Sequence, residues 1–84
     1  MTIFEAFRNR GLLVPEMTRP VYRITYGRSR YEKNTVEFQT SDWRTAKEEL
    51  QEQWSKYAAA HHIPENEVLE IHCIANGDWK RKDA

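Results

Sequence analysis

The chain has 84 residues, 39% hydrophobic and 31% charged, with three Trp, four Tyr and three Phe. That leaves room for one domain with one thin core, which excludes a large multi-part enzyme, and so much aromatic area excludes disorder throughout. Thirteen basic and thirteen acidic residues give zero net charge, far from the strongly basic balance of a dedicated nucleic-acid module.

Thr2 followed by Glu5 is a capping-box pattern, and Ile3, Phe4 and Phe7 form an apolar stripe, so a short helix is predicted over Ile3 to Asn9, with Gly11 at its stop. Leu12 to Pro20 holds Pro15 and Pro20 and reads as a connector. Tyr22, Ile24 and Tyr26 then alternate with Val21, Arg23 and Thr25, and Val36 and Phe38 alternate with Thr35, Glu37 and Gln39. These are two strands of a hairpin whose tip, Gly27 to Asn34, is polar and basic.

Trp43, Ala46, Leu50, Trp54, Tyr57 and His61 share one stripe at helical spacing, which predicts a long helix over Asp42 to His62. Thr40 or Ser41 is its expected cap, and Pro64 ends it. Glu67 to Ala75 alternates Leu69, Ile71 and Cys73 against Val68, Glu70, His72 and Ile74, giving a third strand with the first set in the core. Asn76-Gly77 signals a tight turn, after which Trp79 to Lys82 is either a fourth strand or a basic tail.

A right-handed crossover through the long helix puts strand three beside strand one, so the expected sheet order is 2-1-3. The fold class is therefore α+β: a short N-terminal helix, then ββαβ(β), an antiparallel sheet packed on one long helix. One domain spans 1–84, with helix and connector over 1–20, the ββαβ core over 21–75, and a turn and basic segment over 76–84. The expected core is Tyr22, Ile24, Val36, Phe38, Trp43, Ala46, Leu50, Trp54, Tyr57, Leu69, Ile71 and Cys73. The second sheet face is mostly polar, open to solvent, a partner or the N-terminal helix.

The chemistry present is sparse. Glycines occur only at 11, 27 and 77, so there is no phosphate loop, and no G-x-S-x-G elbow or metal-ligand spacing occurs among His61, His62, His72 and Cys73. His61 reads as a space-filling residue at the helix end, His62 as solvent-facing, and Cys73 as a small buried hydrophobe. No enzyme activity, cofactor or metal is expected. A lone cysteine points to a reducing cytoplasm, and neither a membrane span nor a signal peptide is legible.

Charge is unevenly placed: Met1 to Val36 carries a surplus of four positive charges and the remainder a matching deficit. Arg28, Arg30, Tyr31 and Lys33 at the hairpin tip, and Trp79, Lys80, Arg81 and Lys82 near the C-terminus, mix cations with aromatic rings, the residue types enriched at binding hot spots. Glu48, Glu49 and Glu52 form the competing acidic surface. The order Val36-Glu37-Phe38, then Thr40-Ser41-Asp42, then a helix with Ala46, Leu50 and Trp54 and one more strand resembles small phage-encoded inhibitors of host machinery, such as anti-CRISPR proteins and phage inhibitors of RNA polymerase. That resemblance implies a compact non-enzymatic domain that blocks a larger host complex in the host cytoplasm. The partner is accordingly expected to be a protein or protein complex, with nucleic acid the alternative, and the domain a monomer or homodimer.

Overall fold

The structure is a computed structural model and describes residues 1–10, 12 and 18–77, residue 10 by its backbone alone. The elements follow as α1 (Ile3–Arg10), β1 (Pro20–Ser29), β2 (Glu32–Gln39), α2 (Ala46–Ala60) and β3 (Val68–Asn76). The sheet is antiparallel in the order β2-β1-β3, the order expected from the crossover rule. Trp79 to Lys82, with the question of a fourth strand, lies outside the described residues.

One sheet face is buried. Tyr22, Ile24, Val36 and Ile71 meet Ala46, Leu50, Trp54 and Ala58 of α2. Ile3, Ala6 and Phe7 join the same cluster, with the Phe7 ring 5.2 Å from that of Tyr22, so α1 lies on the core face beside α2. The Thr2 hydroxyl accepts the Glu5 backbone N–H at 3.2 Å, the first half of the capping box, while the Glu5 carboxylate accepts from the Thr2 hydroxyl at 3.2 Å. Tyr22 also donates from its hydroxyl to the Leu12 carbonyl at 3.0 Å, which ties the connector to the core.

The hairpin is longer than its side chains suggested. Pairing runs on through Gly27↔Lys33 and Ser29↔Glu32, leaving Arg28 as the extra residue of a bulge and only Arg30 and Tyr31 in the turn. Ladder hydrogen bonds come from the backbone, so polar side chains do not stop them. Neither turn residue has a positive φ, so the turn is not of the primed type that matches strand twist, and the bulge supplies the missing twist.

Two further bulges in β3 correct its expected faces. The register steps from Thr25↔Glu70 to Tyr26↔Val68 and from Val21↔Ala75 to Tyr22↔Cys73, so Leu69 and Ile74 are extra residues. Val68 therefore takes the core position at 1% exposure, while Leu69 leaves the core and stays half-buried. Trp43 is likewise half-buried outside the core, because α2 begins at Ala46 and Trp43 sits in the preceding turn.

Neither expected cap is used. The Thr40 hydroxyl donates to the Pro20 carbonyl at 3.0 Å, closing the open end of the hairpin. Glu49 instead reaches back from the helix to the turn: its carboxylate accepts the Ser41 backbone N–H at 3.2 Å and the Ser41 and Thr45 hydroxyls at 2.7 Å each. At the other end α2 stops at Ala60, not His62. His62 takes a left-handed conformation (φ 57°), its N–H bonding to the Ala59 carbonyl and that of Ile63 to Ala58. That is a Schellman motif, with a histidine where glycine is usual.

The bulge assignment makes a testable inversion. Val68→Ala should lower stability by roughly 2 kcal/mol and Leu69→Ala by less than about 1 kcal/mol in denaturant melts, although leucine is the larger side chain. For α2, Leu50→Ala at a site with no exposed surface should cost ~2 to 5 kcal/mol. At the helix end, His62→Gly should raise stability by about 0.5 to 1 kcal/mol, because glycine adopts the left-handed region without a Cβ clash.

Candidate partner-binding surface

Arg28, Arg30, Tyr31 and Lys33 come together at the hairpin tip, as the sequence suggested, but they divide between its two sides. Arg28 and Tyr31 line a cleft of about 530 Å³ between the tip and the end of α2, closed by Tyr26, Asn34, His61, Ile63 and Glu67. Arg30 lines a groove of about 490 Å³ on the second sheet face with Thr25, Leu69 and Glu70. Lys33 borders both, so the tip is a ridge with a depression on either side.

Gly27 fixes this geometry. Its φ is +147°, and a Cβ there would lie 2.0 Å from the Glu32 carbonyl oxygen, across the hairpin. No side chain fits, so the backbones close up and the bulge at Arg28 follows. Tyr31 is 97% exposed, with nothing of the fold resting on its ring.

The cleft floor is rigid. The Tyr26 and Tyr57 hydroxyls share a hydrogen bond of 2.8 Å, and the Tyr26 ring lies 5.2 Å from that of Trp54. Burial first, then that hydrogen bond, pushes the Tyr26 phenol up to about 12, so it stays protonated at neutral pH. His61 corrects the space-filling reading: it is exposed, its ring tilted against that of Tyr57 at 4.3 Å, and it lines the cleft. Its place depends on where α2 ends, which its position on the helical stripe did not reveal.

Electrostatically the tip differs from its surroundings. Arg28, Arg30 and Lys33 make no ion pair among the described residues, whereas Arg23 pairs with Glu37, Arg44 with Asp42 at 2.8 Å, and Lys56 with Glu52 at 3.2 Å. The acidic surface is largely occupied: Glu49 braces the turn, Glu52 holds Lys56, and Glu48 alone is exposed without an ion pair among the described residues. Trp79, Lys80, Arg81 and Lys82 fall outside the described residues.

Burial pushes the Cys73 thiol up, away from the reactive thiolate. His72 turns to Glu70 at 3.2 Å, and among the described residues no three His, Cys, Asp or Glu side chains converge. No helix of the described residues is long and apolar enough to cross a membrane. No family model, curated protein or solved structure matches the chain.

The Glu49 brace has a pH signature. Partial burial opposes its ionisation, but hydrogen bonds from Ser41, Thr45 and Asp42 outweigh that and hold the carboxyl below the ordinary 4.5. A depressed folded-state value gives stability that is present above the unfolded value and lost as pH falls through the folded one. Glu49→Gln should therefore lower stability by about 1 kcal/mol at pH 7, with the gap to wild type closing below about pH 4 in thermal melts.

Proposed function

We propose that this domain is a non-enzymatic module that binds another protein through the hairpin tip formed by Arg28, Arg30, Tyr31 and Lys33. One observation carries the reading: three cations with no ion pair among the described residues surround a fully exposed tyrosine on a hairpin closed by Gly27. Arginine and tyrosine are the residue types most often found at interface hot spots. A hairpin held by core contacts at its base loses little conformational freedom when a partner closes around its tip.

The resemblance to phage-encoded inhibitors of host machinery extends this reading. In that form the partner is a larger host complex, and the tip blocks it by occupying a working surface. The extension rests on the order of strands and helix and on the basic aromatic tip. Nucleic-acid binding uses the same residue types, and it differs by its salt dependence.

The deciding measurement is affinity capture from lysate with and without nuclease, using wild type and the Arg28→Glu, Arg30→Glu double variant. A discrete protein complex that survives nuclease and is lost on the double change, with the thermal melt unaltered, is the expected result. Capture of nucleic acid alone, abolished by nuclease and by salt, would replace the proposal with the rival.

A further inference from the structure

The groove on the second sheet face differs in composition from the tip cleft. Its floor includes Leu69, an apolar side chain that the β3 bulge removes from the core. Arg30 and Lys33 line it as well, and among its described lining residues the carboxylate is Glu70, which lies 3.2 Å from His72. The tip cleft sets Glu32 and Glu67 against its cations, so its charge is mixed. Among the described residues the groove therefore sets two cations against one carboxylate, where the tip cleft sets Arg28 and Lys33 against two.

We propose that this groove receives an acidic segment of a partner protein, one apolar side chain seated on Leu69 and the flanking carboxylates on Arg30 and Lys33. This rests on the protein-binding reading and adds to it the chemistry of the partner. Charge complementarity favours the occupant: carboxylates gain most from cations that hold no other partner, and exclusion of water over Leu69 strengthens both ion pairs. Thr25 adds a hydroxyl at the groove wall. Further along the same face Arg23 pairs with Glu37 at 3.4 Å.

The test uses a short fluorescein-labelled peptide of glutamates around a central leucine, read by anisotropy against the full chain. Arg30→Glu and Leu69→Ser should each weaken its binding roughly tenfold, whereas Arg28→Glu, on the other side of the hairpin, should change it by less than about threefold. The same peptide with serine for leucine should bind more weakly to wild type. Arg30 is exposed, so Arg30→Glu keeps the fold if Leu69→Ser proves destabilising, and a thermal melt accompanies each variant.

No binding at millimolar peptide, or equal binding by wild type and the Arg30→Glu variant, overturns the inference. So does a single-stranded oligonucleotide that binds more tightly and loses affinity through the same substitutions. If the captured protein complex depends on the tip but the peptide does not bind, the groove assignment fails and the protein-binding reading stands. If no protein complex is captured either, both fail.

Discussion

Trp54 has no exposed surface, and its indole meets three separate parts of the chain. The ring lies 5.2 Å from Tyr26 of β1 and 5.8 Å from Tyr57 on its own helix, and its N–H donates to the Glu65 carbonyl at 2.9 Å. A buried indole must satisfy its one donor, and here the acceptor is the loop that carries the chain from α2 into β3. One side chain thus sets how far α2 stands from the sheet and where β3 begins. The candidate surface inherits both positions, since the tip cleft is the gap between the hairpin and the turn that ends α2.

Much of this was legible because the helical and strand periods are strong where packing decides. The stripe of Ala46, Leu50 and Trp54, the alternation of Tyr22, Ile24 and Tyr26, and the crossover rule were enough to place the strands in their observed order. What escaped was local backbone geometry. Leu69 and Val68 exchange roles because one bulged residue flips the alternation, and a sequence that reads equally apolar on either side of the slip does not show it. The start of α2 escaped for a different reason: Thr40, Ser41 and Asp42 all resemble caps, yet each has another partner in Pro20, Glu49 and Arg44.

The candidate surface divides along similar lines. The cations and Tyr31 were evident from composition, because a charged aromatic cluster between two strands has nowhere to go but the tip. Their assignment to opposite sides of the hairpin was not, since it depends on the Arg28 bulge and on Gly27. His61 and Leu69 escaped for the same reason as the backbone details: each owes its exposure to where a regular element is interrupted. On the acidic helix face the Glu52–Lys56 pair follows from i,i+4 spacing, whereas the Glu49 brace to the preceding turn does not show in the sequence.

Gly27 separates the chain into a frame that tolerates little change and a tip that tolerates much. With a Cβ excluded at that one position, the hairpin keeps its course whatever side chains follow, and neither Arg28, Arg30, Tyr31 nor Lys33 belongs to the core cluster. Substitutions at these positions are therefore nearly invisible to folding while altering everything a partner would meet. Such a division suits an engineer: the tip is a short, contiguous stretch in which new specificities can be selected on an unaltered scaffold, provided the glycine is left in place.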